Sequence, residues 1–244
     1  MQFPENVTRL CGSKPFSFGC HPDVSCFTEC CRELELTLTP YDVLYLRKEL
    51  QMGSAEFIER YAVVELDEQG CLPRLYLGMV DDGRASCPFI SSNGCKVYRS
   101  RPGACRAYPV GRGVTLDADG KVREMYVLVN EDHCQGFLEP HSHNVAEWFK
   151  DQGLVEYNAV NDEMLHLLQH EKVSRGVNLT QEEKDMFLLA LYKLDEFRIM
   201  VSSPAFVEKF MLSKEESRSI LADDLNLLLF GIRWLQKVLF TEKP

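Results

Sequence analysis

Residues 87–109 read CPFISSNGCKVYRSRPGACRAYP and hold three cysteines, three prolines and three arginines. Two further stretches are also rich in cysteine, GCHPDVSCFTECC at residues 19–31 and EDHCQGF at residues 131–137. Together the three stretches contain eight of the ten cysteines, namely Cys20, Cys26, Cys30, Cys31, Cys87, Cys95, Cys105 and Cys134. No cysteine follows Cys134. We therefore predict a cysteine-rich module over residues 1–140 and a helical region over residues 141–244 that packs on it.

Signals for helices and for strands are mixed in the first part of the chain. The run Thr39-Pro40-Tyr41-Asp42 supplies a capping hydroxyl, a proline at the first helical position and a carboxylate in the first turn, so a helix should begin there. We expect a second helix over residues 54–61, a strand over 75–80, and a hairpin of residues 114–116 and 122–129. The predicted fold class is therefore α+β, with a helical C-terminal part.

Apolar residues at helical spacing dominate the chain after residue 180. One set falls on one helix face and comprises Met186, Leu189, Ala190, Leu194, Phe197 and Met200. A second stripe comprises Ile220, Leu221, Leu225, Leu228, Ile232, Leu235 and Leu239. Core packing is the expected role of both sets, and Ser203-Pro204 should separate two helices.

The composition is that of a globular protein, with 45% hydrophobic and 26% charged residues in 244. The N-terminus has no apolar stretch of signal-peptide length, and the apolar run at residues 225–232 is much shorter than the roughly 20 residues of a spanning helix. We therefore expect a cytoplasmic protein without a membrane segment. The net charge of −10 argues against nucleic-acid binding, because phosphate groups attract a basic surface.

Metal binding is the expected role of so many cysteines in a reducing compartment, where structural disulfides are rare. Thiolates are soft ligands, and four of them complete a zinc site or hold a four-iron cluster. Eight ligands would serve two such centres, or one centre plus structural or redox thiols. The expected cofactor is an iron–sulfur cluster of the 4Fe-4S type or zinc. A secreted disulfide protein is the least favoured alternative.

The spacing of the first cysteines favours iron–sulfur over zinc. Cys26 and Cys30 would lie one turn apart if this run is helical. The neighbours Cys30 and Cys31 cannot easily direct both sulfurs at one metal ion. They suit a larger cluster, two neighbouring sites, or one ligand with a second thiol behind it. The spacing also differs from the facing CxxC pairs of a zinc ribbon.

Arginines accompany the second cysteine group. Arg101 and Arg106, with Arg99 nearby, flank Cys105 and would offset the negative charge of several thiolates. Solvated or carboxylate-paired arginines are the alternative. Pro88 restricts the backbone next to Cys87.

The remaining cysteines and the histidines give weaker signals. Cys11 and Cys71 stand apart, and we expect them to be small buried apolar residues rather than ligands. His21 and His133 adjoin predicted ligands and would be able to replace them, and an HxH pattern occupies residues 141–143. For all four histidines, surface or core roles are expected.

The CxxxCC run, the helix start LTPYDV and the order CPF, CxVY, RPxxCRxYP together resemble the YkgJ-type cysteine-cluster family, whose CxxCxxCC domain is described as zinc- or iron-chelating. The resemblance spans residues 20–134 and implies that the eight cysteines occupy the family's cysteine positions. Here five residues separate Cys20 from Cys26, a wider opening than the family's usual one. That opening is similar to the cysteine cluster of flagellin lysine N-methylases, which implies an iron–sulfur centre used in protein methylation.

Three functions follow from these observations. The first is a metal-binding protein without catalysis. The second is an iron–sulfur-dependent, methyltransferase-like enzyme that modifies a protein substrate, although the chain has no GxGxxG loop. The third is a structural metal site in a domain that binds a protein partner. The sequence leaves open whether the chain is an enzyme.

Overall fold

Helices and small antiparallel sheets make up the computed structural model, which describes residues 3–66 and 72–240. The strands are β1 (Val7–Leu10), β2 (Phe16–Ser17), β3 (Thr37–Leu38), β4 (Ala62–Leu66), β5 (Pro73–Leu77), β6 (Ile90–Ser91), β7 (Gly94–Cys95), β8 (Val110–Leu116), β9 (Val122–Val129) and β10 (Ser142–His143). The α-helices are α1 (Pro40–Glu49), α2 (Ser54–Tyr61), α3 (Gly103–Ala107), α4 (Val145–Asp151), α5 (Leu154–Glu163), α6 (Leu165–Leu168), α7 (Glu171–Ser174), α8 (Gln181–Leu191), α9 (Leu194–Ser202), α10 (Pro204–Lys209), α11 (Lys214–Ile220) and α12 (Asp224–Phe240). Short 3-10 helices lie at Glu29–Cys31, Tyr98–Ser100 and Gly136–Leu138. The predicted α+β class is confirmed.

Internal contacts divide the described residues into two compact units, and each unit is built from separate stretches of chain. Residues 3–36 and 77–162 form the cysteine unit, and residues 37–66, 72–76 and 163–240 form the helical unit. All eight predicted ligands belong to the cysteine unit. These units do not have the same boundaries as the domains predicted from the sequence, 1–140 and 141–244. That division into domains stays a prediction.

The cysteine unit contains a three-stranded antiparallel sheet in the order β1-β9-β8. The predicted hairpin is confirmed, and its first strand is longer than expected because pairing begins at Val110 opposite Leu128. A second hairpin, β6–β7, pairs Ile90 with Cys95. This pairing places Cys95 next to the turn that follows Cys87. Gly94 in this hairpin has φ 98°, a backbone conformation that residues with a Cβ rarely adopt.

Aromatic side chains fill the interior of the cysteine unit. The rings of Phe18 and Trp148 meet edge to face with centroids 5.6 Å apart, and the Trp148 indole donates to the carbonyl of Ala107 at 2.9 Å. Only glycine fits at the position of Gly136, because a Cβ there would lie 2.6 Å from the Phe18 ring. The residues just before Cys20 and just after Cys134 are therefore packed against each other.

The helical unit begins as the sequence predicts. Thr39 caps α1 in a capping box with Asp42, and α2 occupies Ser54–Tyr61. The strand expected over residues 75–80 is displaced, since β5 covers Pro73–Leu77 and Val80 forms only an isolated bridge with Ser86.

The prediction for the first set of apolar residues was wrong in one respect, because these residues lie on two helices. The apolar face from Met186 to Met200 does not lie on one helix, because the chain breaks between α8 and α9 at Tyr192 and Lys193. The buried Tyr192 hydroxyl donates to the carbonyl of Leu38 at 3.2 Å, so a contact remote in sequence sets this break. The separation of α9 and α10 at Ser203-Pro204 is confirmed.

Core packing of the last helix is also confirmed. The buried members of the second stripe are Ile220, Leu228, Ile232, Leu235 and Leu239. None of the helices in residues 3–66 and 72–240 is both long enough and apolar enough to span a membrane.

Candidate metal centre

Five of the predicted ligands line one cavity of about 350 Å³ in the cysteine unit, here called the thiol cavity. They are Cys20, Cys26, Cys30, Cys105 and Cys134. Separate elements position them: Cys20 follows β2, Cys30 lies in a 3-10 helix, and Cys105 lies on α3. The fold therefore brings thiols from all three cysteine-rich stretches to one place.

The other three predicted ligands adjoin Cys30. The Cys30 and Cys31 side chains are hydrogen-bond partners. The backbone N–H of Cys87 donates to the carbonyl of Cys31 at 2.8 Å, and this contact brings the β6–β7 hairpin to the 3-10 helix. The thiols of Cys87 and Cys95 lie close enough to Cys30 for their charges to repel.

The proximity of these groups disfavours bare thiolates. Desolvation raises the pKa of the Cys20 thiol to about 11, and neighbouring Cys30, Cys26 and Cys134 contribute to this rise. The hydrogen bond with Cys31, followed by burial, raises the pKa of Cys30 far above its ordinary value. Since repulsion among thiolates is one cause, a bound cation would offset it and favour the ionised, ligating form.

Backbone N–H groups point at several of the sulfurs. Gln135 N donates to Cys26 Sγ at 3.1 Å. Three other cysteines share one local arrangement, in which the backbone N–H two residues later acts on the sulfur. Burial raises the pKa of each of these thiols, and the backbone N–H lowers it by a smaller amount. The pairs are Phe89 with Cys87, Val97 with Cys95, and Gly136 with Cys134. Such donors stabilise thiolate charge and tune metal–thiolate centres, so the donor set fits zinc or an iron–sulfur cluster.

The three arginines near Cys105 differ in role. Arg101 lines the thiol cavity, where it is half-buried and donates to Gln152 Oε1 at 2.6 Å. Burial lowers its pKa, and its charge acts on Cys105 and Cys95. Arg106 is buried and donates to the carbonyls of Arg101, Gln152 and Arg99, so it holds the loop rather than the thiols. Arg99 is exposed.

Four histidines also line the thiol cavity, and sequence reasoning underrated them: His21, His133, His141 and His143. His21 Nε2 lies 3.2 Å from Glu139, and His133 Nε2 lies 3.4 Å from Glu131. His143 Nε2 lies 3.1 Å from the carbonyl of Phe18. Each of the three histidines therefore has a polar neighbour, and the expectation that none of them is a ligand stays a prediction.

Sequence reasoning missed Tyr108, which precedes Pro109 in the RAYP run. Tyr108 lines the thiol cavity beside Cys134, and its hydroxyl is buried without a nitrogen or oxygen partner among the described residues. Buried hydroxyls are almost always hydrogen-bonded, and the neighbouring Cys134 sulfur, on which Tyr108 acts to lower the thiol pKa, is the acceptor available to this group.

The expectation for Cys11 was wrong, because this residue is exposed in the turn after β1 and its Sγ lies 3.6 Å from Ser13 Oγ. Cys71 lies outside the described residues. No disulfide joins any of the nine described cysteines. Within the same residues, no three His, Cys, Asp or Glu side chains converge closely enough to hold a metal ion as they stand.

A family model matches residues 19–135, the CxxCxxCC family, described as "Putative zinc- or iron-chelating domain". Neither the comparison with curated proteins nor that with solved structures gave a match. The matched range contains all eight predicted ligands together with Arg101 and Tyr108. Residues 19–135, just under half of the chain, are therefore similar to the CxxCxxCC domains that this family model describes.

Proposed function

We propose that the cysteine unit binds iron in iron–sulfur form of the 4Fe-4S type, with the thiolate ligands supplied from its eight clustered cysteines. The thiol cavity carries this proposal. Zinc–thiolate bonds are about 2.3 Å long, so four sulfurs around one zinc ion enclose no space. The thiol cavity, lined in part by five cysteines, has a volume of about 350 Å³ and therefore has room for the iron and sulfide atoms of a cluster.

Charge and hydrogen bonding support the same proposal. A four-thiolate cluster carries net negative charge, and Arg101 supplies a cation at the cavity wall. The amide donors to Cys26, Cys87, Cys95 and Cys134 are of the kind that stabilise sulfur ligands. The adjacent thiols of Cys30 and Cys31 suit a cluster, in which each sulfur binds a different iron.

Anaerobic purification with analysis of iron, zinc and acid-labile sulfide tests this proposal. We expect a brown protein whose visible absorption accompanies iron and sulfide in equal amounts. Cys134→Ser should lose about half or more of the iron and the colour, whereas the control Cys11→Ser should retain both, because Cys11 is exposed and lies outside the cavity. A colourless protein with stoichiometric zinc would contradict the iron assignment, and one without metal would contradict metal binding altogether.

The cytoplasm is the proposed location, since it keeps thiols reduced and available as ligands. A methyltransferase-like activity on a protein substrate stays a prediction. Calorimetric titration of the metal-loaded protein with a methyl donor would test it: saturable binding favours the enzyme, and no heat of binding contradicts it.

A further inference from the structure

The eight clustered thiols fall into two groups of four. The first thiol group comprises Cys20, Cys26, Cys105 and Cys134. The second thiol group comprises Cys30, Cys31, Cys87 and Cys95.

All four members of the first thiol group line the thiol cavity. Gln135, the residue after Cys134, donates its N–H to Cys26 Sγ at 3.1 Å, so the chain around Cys134 adjoins the Cys26 thiol. Cys20 lies within repulsive range of the Cys26 and Cys134 thiols. Cys105 completes the group from α3, where Arg101 acts on it.

The second thiol group is held by the contact between the 3-10 helix Glu29–Cys31 and the β6–β7 hairpin. Cys87 N donates to Cys31 O, and the pairing of Ile90 with Cys95 closes the hairpin. Lys96 N also donates to Phe89 O at 2.8 Å, which fixes Cys95 relative to the turn after Cys87. Apart from Cys30, none of these four lines the thiol cavity.

Cys30 lies at the border of the two groups. It lines the thiol cavity and neighbours Cys20, but it also neighbours all three other members of the second group. A closed sulfur-ligated centre needs four ligands. The first group has four without Cys30, whereas the second reaches four only with it.

We infer that the cysteine unit holds two separate four-thiolate centres, one on each thiol group, with Cys30 in the second centre at their border. This inference rests on the proposed function, because it assigns the ligands of the same metal-binding unit. In the second centre, the adjacent Cys30 and Cys31 would supply two of the four thiolate ligands.

Serine variants of one thiol from each group test the assignment after anaerobic reconstitution with ferrous iron and sulfide. Cys105→Ser and Cys87→Ser should each retain about half of the wild-type iron and sulfide, since one four-iron centre remains. The double variant should retain none, and Cys11→Ser should match the wild type. Far-UV circular dichroism verifies folding, and Cys95→Ser replaces Cys87→Ser if the latter does not fold.

Cys30→Ser tests the border residue. Combined with Cys87→Ser, it should remove no more iron than Cys87→Ser alone, because both residues serve one centre. Combined with Cys105→Ser, it should remove all iron. If Cys30→Ser instead removes further iron when combined with Cys87→Ser but none when combined with Cys105→Ser, Cys30 belongs to the first centre and the assignment is overturned.

Failure of the inference is distinguishable from failure of the proposed function. If the wild type binds iron and sulfide but a single serine in either group removes all of it, one centre uses both groups and the two-centre inference is overturned. If the wild type takes up no iron after reconstitution, the proposed function itself fails.

Discussion

The cysteine unit and the helical unit are stabilised by different means. All twelve of the largest side chains that are almost completely buried in the described residues belong to the helical unit, among them Tyr41, Phe57, Phe187 and Phe197. The cysteine unit instead joins short strands and 3-10 helices around thiols and aromatic rings. We therefore expect apolar burial to stabilise the helical unit by itself, and a bound metal to add to the apolar packing of the cysteine unit.

Removal of metal should therefore affect the two units very differently, and it is the largest effect we expect. Metal binding to cysteine sites contributes on the order of 10 kcal/mol to folding. Chelation under reducing conditions should abolish amide hydrogen-exchange protection in β8, β9 and the 3-10 helix Glu29–Cys31, and leave α8 and α12 protected. Equal loss of protection in both units would contradict the comparison.

The stability of the helical unit is also expected to depend on a partly buried ion-pair network around Arg47. The Arg47 guanidinium binds Asp224 at 2.6 Å and Asp195 at 3.2 Å, and Asp195 also accepts from Ser54 N at 2.7 Å. Arg47→Met should lower the free energy of unfolding by about 2–3 kcal/mol, less than for a fully buried pair because Asp195 is half exposed. Urea unfolding followed by circular dichroism measures this.

Arg175→Met is the matched control for this network. Arg175 pairs with Glu171 on the surface of α7, and both side chains are largely exposed, so its loss should change stability by less than about 0.5 kcal/mol. Iron content should stay unchanged in both variants. Loss of iron in Arg47→Met, or equal destabilisation by the two variants, would contradict the contrast between the units.

Acid should weaken the helical unit through Asp224. Burial opposes its charge, but the hydrogen bond from Arg198 and the charge of Arg47 outweigh it, so the pKa of Asp224 lies below its ordinary value. The resulting stabilisation is complete above the ordinary pKa of about 3.9 and is lost as pH falls through the lower folded-state pKa. Asp224→Asn should therefore flatten the acid side of the stability profile, measured by urea unfolding between about pH 2 and pH 6. An unchanged profile would exclude this role.

The smallest expected effect concerns Tyr108 in the thiol cavity. Its hydroxyl has no oxygen or nitrogen partner in the described residues and should donate to the Cys134 sulfur in the metal-loaded protein. Loss of a hydrogen bond of about 1 kcal/mol corresponds to roughly 40 mV for one electron. Tyr108→Phe should thus lower the reduction potential of the cluster by tens of millivolts.

Tyr126→Phe is the control for that measurement, since the Tyr126 hydroxyl donates to Glu124 at 2.7 Å and the residue is not part of the thiol cavity. Its potential should match the wild type. Identical potentials for both variants would show that Tyr108 does not act on the cluster.

Local signals predicted the parts of the fold that depend on neighbouring residues. The capping box of Thr39 and Asp42, the turn at residues 117–120 and the break at Ser203-Pro204 are all confirmed. The break at Tyr192 was not foreseen, because its cause is a hydrogen bond to Leu38, which is remote in sequence.

The same distinction between local signals and remote contacts applies to the candidate metal centre. Cysteine spacing and the family resemblance identify the candidate ligands from the amino-acid sequence alone. Tyr108, His141 and His143 reach the thiol cavity only because the aromatic interior brings β2, β10 and α4 together, and no spacing rule reports that contact. The assembly of the helical unit from two stretches of chain, one before and one after residues 77–162 of the cysteine unit, was likewise not visible in the sequence.

X-ray absorption at the iron edge of the anaerobically purified wild-type protein tests the central claim most directly. Thiolate-bound iron–sulfur clusters predict an all-sulfur first shell together with short iron–iron scattering. Iron bound by nitrogen and oxygen, or an iron edge without signal in a protein that contains zinc, would contradict the account.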